Sequence, residues 1–169
     1  QRVASLEAQI NAKQRLIWER ARRDAELSAA AEEEAVDLAV SKWGRLDCIF
    51  NNAGFGGVLG PIEEVPAEAF DMTMDVLVRG VFLGMKHAIP IMKSQKSGSI
   101  INTGSIAGVT CGRGPVVYSV AKAAVNHLSK VTAMELGEHN IRVNSICPGY
   151  IATPLSTNTV GRPDALIEE

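Results

Sequence analysis

From Leu46 onward the apolar positions switch repeatedly between two spacings. Short continuous runs stop at glycine, proline or asparagine, and longer stretches carry an apolar residue every three or four positions. Asp47 to Phe50 is such a run and closes on Asn51-Asn52-Ala53-Gly54, so it predicts a buried strand followed by a turn. After Pro66 the stretch from Ala67 to Lys93 predicts one long helix, with Gly80 and Gly84 spaced to let it approach a neighbour closely. Ser99 to Asn102 predicts the next strand, Tyr118 to Leu136 the next helix, and Arg142 to Ile146 a third strand stopped by Pro148-Gly149. Strands alternating with helices of this length form crossover units around a parallel sheet with helices on both faces. The expected fold class is therefore α/β, with a doubly wound parallel sheet.

The residues ahead of Leu46 follow a different pattern. Residues 1–33 are rich in Ala, Glu, Arg and Gln and contain neither Gly nor Pro, so they predict a long charged helix. Val3, Leu6, Ile10 and Ile17 fall at roughly heptad spacing, but Lys13 and Arg20 interrupt the stripe and no sustained coiled coil is expected. Such a helix would pack on the domain through its apolar face, or dock a partner through Leu6, Ile10 and Ile17. Glu32, Glu33 and Glu34 precede a better stripe of Ala35, Val36, Ala39, Val40 and Trp43, which predicts a core-packed helix ending at Gly44. The domain reading is a charged helical segment over 1–33 and an α/β domain over 34–169.

Composition narrows the function classes. A length of 169 residues, with 46% hydrophobic and 21% charged residues, suits one globular domain with a core. A formal net charge of -2, without a basic patch, argues against nucleic acid or a membrane surface as partner and for a small molecule. No apolar run reaches the roughly 18 residues of a membrane span. The N-terminus lacks the apolar stretch of a secretory signal, so the cytoplasm is the expected location. Cys48, Cys111 and Cys147 are odd in number and widely spaced. They fit neither a disulfide framework nor a metal site, and are expected to be buried thiols.

In sheets of this kind ligands bind beyond the carboxyl ends of the strands. Three such ends carry unusual residues: Asn51 to Gly54, Thr103 to Gly108, and Pro148 to Pro154. Tyr118 and Lys122 stand four residues apart, on one helix face and about one turn from each other. A free phenol titrates near pH 10, so a fixed ammonium beside it is what a catalytic tyrosine at neutral pH needs. Ser105 follows the strand Ser99 to Asn102, where a hydroxyl could donate to a substrate oxygen. No one of these features is specific alone, since Tyr/Lys pairs occur by chance on surface helices and a serine among glycines is ordinary loop chemistry.

In that order and spacing, Asn51-Asn52-Ala53-Gly54, Ser105, Tyr118-x-x-x-Lys122 and Pro148-Gly149 resemble the short-chain dehydrogenase/reductase family over roughly Glu34 to Leu155. The resemblance implies a Rossmann-type oxidoreductase moving hydride between NAD or NADP and a secondary alcohol or ketone. It implies that Tyr118 is the general acid or base and that Lys122 lowers its pKa and holds the nicotinamide ribose, while Ser105 orients the substrate oxygen. Asn51, Ala53 and Gly54 match the turn lining the adenosine side of the cofactor. Pro148, Gly149, Ile151 and Thr153 match the segment against the nicotinamide, and the residues after Thr153 match the start of a substrate lid. The family also pairs the helices matching Ala67 to Lys93 and Tyr118 to Leu136 across a two-fold axis, so a homo-oligomer is expected.

Two departures stand beside these matches. No glycine precedes Gly44, so the family's glycine-rich phosphate loop has no counterpart ahead of Asn51. A truncated or rearranged chain, stopping before the family's last strand, is the expectation, and whether it is an active enzyme stays open. Leu77 stands where the family carries an Asn that holds a relay water near the catalytic Lys; nearby Asp75 is expected on the surface. The competing reading is a noncatalytic chain that uses the shared helices for binding or oligomerisation.

Overall fold

The computed structural model describes residues 32–153. The charged helix expected over 1–33, apart from its last two residues, and the expected lid after Thr153 lie outside the described residues. Helix α1 covers 32–43 and stops at Gly44, whose φ of +73° ends the helix and whose N–H closes on the Val40 carbonyl. Only part of its expected apolar stripe is buried. Val36 is 5% exposed, whereas Trp43 is 67% exposed and carries the Lys42 ammonium over its ring.

Strand β1 (Cys48–Asn51) pairs in parallel with β2 (Gly98–Thr103), and β2 with β3 (Ile141–Ile146), giving the sheet order β1-β2-β3. Between β1 and β2 the chain forms α2 (Ala67–Met74), a π-helical turn (Asp75–Arg79) and α3 (Gly80–Gln95). The single long helix expected there is thus interrupted by a π turn, which changes the backbone hydrogen bonding without changing the apolar pattern. Helix α4 (Val116–Leu136) joins β2 to β3.

Both crossovers run the same way along the sheet, and right-handed connections put their helices on one face. The core reflects this. Val81, Met85, Ala88 and Met92 of α3 meet Ile100 of β2, Val125 and Leu136 of α4, and Ile141 and Val143 of β3. Of the two covered faces expected, the described residues cover this one; Phe50 and Ile146 are 52% and 43% exposed.

A polar ladder ties the layers together. Asn51 Nδ2 donates to Asn102 Oδ1 at 2.7 Å, and Asn102 Nδ2 donates to Ser129 Oγ of α4 at 2.9 Å. Asn102 is fully buried, so these bonds satisfy an amide that would otherwise be costly to desolvate. Gly84 permits the arrangement, because a Cβ there would collide with the Asn51 amide.

The three thiols are not buried as expected: Cys48, Cys111 and Cys147 are all exposed. Cys48 opens an edge strand, Cys111 lies in the loop before α4, and Cys147 follows β3. Cys147 nevertheless reaches the helix side, its Sγ lying 3.3 Å from Asn126 Oδ1 of α4. No helix among the described residues is long and apolar enough to cross a membrane.

Candidate active site

Ser105 follows β2 and opens a turn that packs on α4, whose first two turns carry Tyr118 and Lys122. Ser105 is 8% exposed and caps a 3-10 turn (Ile106–Gly108), its Oγ accepting from the Ala107 N–H at 3.1 Å. Because Oγ accepts that bond, its own hydrogen stays available for a second acceptor. The turn lies against α4 so closely that a Cβ at Gly108 would sit 2.5 Å from the Ala123 nitrogen and the Lys122 carbonyl carbon. Glycine at 108 therefore sets the approach of Ser105 to the helix that carries Tyr118 and Lys122.

Lys122 is 4% exposed, and its Nζ donates to the Thr103 carbonyl at 2.6 Å while lying 5.7 Å from the centroid of the Tyr118 ring. Burial lowers its pKa from the usual lysine range to about 8, against an opposing charge interaction with Cys147. Tyr118 is half-buried, its ring edge against Gly114, where a Cβ would sit 3.2 Å from both Tyr118 Cδ1 and Ala107 Cβ. The four-residue spacing read from the sequence thus does place phenol and ammonium together.

The turn after β1 closes the site from the other side. An added Cβ at Gly54 would lie 3.1 Å from Leu77 Cδ2 and 3.9 Å from Lys122 Nζ, so glycine there keeps the Lys122 ammonium approachable. Leu77 is fully buried on the π turn. Ala53 and Gly54 are exposed, whereas the Asn51 amide is committed inside the fold to Asn102. Asn52 Oδ1 accepts from Thr103 Oγ1 at 2.9 Å, tying this turn to the end of β2.

The third strand end comes up alongside. Ile106 N–H donates to the Pro148 carbonyl at 3.0 Å, and Gly104 N–H to the Ile146 carbonyl at 2.8 Å. Pro148 is half-buried, and Gly149, Ile151 and Thr153 are exposed. A cavity of about 610 Å³ lies beside β1, lined by Val36, Ile49, Phe50 and the turn Asn51 to Phe55. Asp75 and Arg79 also line it. Asp75, expected on the surface, is half-buried at this wall because the π turn carries it there.

Sequence reasoning missed two parts of the site. The Thr103 carbonyl that anchors Lys122 is a backbone group, and no side-chain pattern marks it. Gly108 read as ordinary loop composition, although its position three residues after Ser105 and ahead of a helix was visible.

The family model described as enoyl-(acyl carrier protein) reductase matches residues 1–169. (+)-Borneol dehydrogenase 2 of Salvia officinalis is 48% identical over 125 residues, covering 73% of this chain and 44% of its own length. The crystal structure of levodione reductase is similar with a TM-score of 0.74 at 38% identity, over 78% of this chain and 51% of that one. The structure of NAD+-bound xylitol dehydrogenase gives a TM-score of 0.70 at 35% identity, over 74% and 48%. The chain spans about half the length of the curated relatives it matches.

Proposed function

The chain belongs to the short-chain dehydrogenase/reductase family, and on that footing we propose that Ser105, Tyr118 and Lys122 form the catalytic site of an NAD(P)-dependent oxidoreductase acting on a secondary alcohol or ketone. The observation that carries the proposal is the placement of the buried Lys122 ammonium between the Tyr118 ring and the open face of Gly54. In the oxidative direction Tyr118 takes the substrate hydroxyl proton as hydride leaves the same carbon; in reduction it returns the proton to the carbonyl oxygen. Ser105 donates its free hydrogen to that oxygen and orients it. Lys122 holds positive charge beside the phenol, where it favours the charge that develops on proton transfer.

The residues present fit the nicotinamide end of the cofactor, which supplies or takes up the hydride when bound. Lys122 would hold its ribose, Pro148, Gly149, Ile151 and Thr153 would lie against it, and the turn at Ala53 and Gly54 would line the adenosine side. Asn51 contributes to that turn through its backbone, since its amide is already engaged with Asn102. Within the residues given there is no glycine-rich helix start ahead of Asn51 for the pyrophosphate end, so these residues by themselves are expected to bind the cofactor weakly.

An assay of the chain with NAD+ or NADP+ and a panel of cyclic secondary alcohols, read by absorbance of the reduced nicotinamide, tests both statements. Turnover is expected to vanish in Tyr118→Phe, and calorimetric titration is expected to give a dissociation constant above the low micromolar range. Wild-type turnover equal to that of Tyr118→Phe would remove the catalytic assignment, and low-micromolar binding would remove the argument from the phosphate seat.

The same reading places the chain in the cytoplasm as a homo-oligomer with a small-molecule substrate. The domain proposed on this reading is the stretch 34–169, with 1–33 as the sequence ahead of it. Exposed apolar residues on α4 support the oligomer: Met134 is 87% exposed and Val131 51%, and on α3 Phe82 is 49% exposed. A monomer mass by light scattering at high concentration would count against it.

A further inference from the structure

Asn126 lies one turn beyond Lys122 on α4 and is 8% exposed. Its Oδ1 accepts from Ser145 Oγ at 2.7 Å and from Cys147 Sγ at 3.3 Å, both at the end of β3. The same oxygen lies against Gly104 at the end of β2, where a Cβ would collide with it. One amide thus touches both strand ends that frame the site while standing on the helix that carries Tyr118 and Lys122.

The other end of the amide sharpens the question. Asn126 Nδ2 is buried and makes no hydrogen bond. An unpaired buried donor costs more than an ordinary hydrogen bond returns, so the amide does not stand here for stability alone. The backbone bonds from Gly104 and Ile106 fasten the turn after β3 to β2. The Asn126 bonds fasten it to α4, and so to Lys122.

We propose that Asn126 is a positioning residue, whose Oδ1 fixes the Ser145 to Pro148 turn in register with Lys122. It acts through the turn rather than by touching substrate. In catalysis this would place the Pro148-Gly149 segment against the nicotinamide, a consequence that rests on the oxidoreductase reading above.

Cys147 reports the register directly, because its thiol is exposed and bonded to Asn126. The experiment compares iodoacetamide alkylation of the full chain, resolved by peptide mass, in the wild type, Asn126→Leu, Asn126→Asp and Ser129→Ala. Cys48 and Cys111 are also exposed and serve as internal references. Ser129 is a second buried polar residue of α4, bonded to Asn102 and Val125 but not to the turn. Asn126→Leu is expected to speed Cys147 alkylation about fivefold over the references, the factor one ordinary hydrogen bond is worth. Asn126→Asp keeps the acceptor and adds a negative charge that disfavours the thiolate, so its rate should not rise above the wild type's, and Ser129→Ala should leave the rate unchanged. Should Asn126→Leu not fold, Asn126→Ala carries the same expectation.

An unchanged Cys147 rate without the amide, or an equal rise in Ser129→Ala, overturns the proposal. In turnover the loss should fall on KM for the cofactor more than on kcat. A chain without Tyr118-dependent turnover would remove the oxidoreductase reading, while the thiol rates would still decide the role of Asn126.

Discussion

Replacing Lys122 by methionine should make the stability difference between wild type and variant depend on pH, in the wild type's favour as pH rises. The ammonium is 4% exposed, and burial lowers its pKa from 10.5 to about 8. Below pH 8 folded and unfolded chains both hold the proton, and the folded state bears the full cost of the buried charge. Between about 8 and 10.5 the unfolded chain still holds a proton that the folded chain has released, so stability rises with pH across that window. The total swing is about 3 kcal/mol, most of it reached by pH 10. Methionine has a similar stem and no proton to lose, so its curve lacks this component. The remaining titrating groups are common to both chains and largely cancel in the difference. Urea midpoints at pH 7, 8, 9 and 10 read the result. A difference that stays flat over that range would mean that Lys122 keeps its ordinary proton affinity in the folded chain, and the buried, desolvated ammonium assigned to the site would go with it.

That Lys122 stands beside Tyr118 was legible in the sequence, because helical spacing converts a four-residue separation into one face, whereas its burial was not. The strands were legible for a related reason: apolar runs closed by Gly, Pro or Asn bound them within one or two residues, as Asp47 to Phe50 against Cys48–Asn51 illustrates. What failed had no periodic signature. The π turn at Asp75–Arg79 shifts backbone hydrogen bonds while Leu77 and Val81 stay buried, so the pattern of a continuous helix survives it. The thiols were read as small hydrophobes, yet their strand-edge and loop positions leave them exposed. The anchor of Lys122 is the carbonyl of Thr103, and Asn126 looked like any polar residue on a helix until three chain segments converged on it. Groups defined by tertiary approach alone leave no mark on a single sequence.

Leu77→Asn is expected to raise turnover at saturating cofactor by about 10 to 100 fold, a part of the roughly 10² to 10⁴ that positioned proton transfer contributes. Leu77 and Lys122 approach the same glycine, with Leu77 Cδ2 3.1 Å and Lys122 Nζ 3.9 Å from the position a Cβ would take on Gly54. A fully buried leucine offers hydrocarbon there, whereas an amide on the same π turn would present a donor and an acceptor beside the ammonium. Resemblance to the family assigns that amide the task of holding a relay water. The exchange also removes buried apolar surface and desolvates an amide, so stability should fall by about 1 to 3 kcal/mol. Faster turnover from a less stable chain would separate a relay from a general tightening of the fold. Tyr118→Phe is the control, because removing the phenol must abolish the gain if the relay feeds it. Saturation matters as well, since a weak seat for the cofactor would otherwise mask any change in the chemical step. Equal turnover with and without the amide, measured at saturating cofactor, would show that Leu77 does not limit proton transfer and that the relay does not pass through this turn.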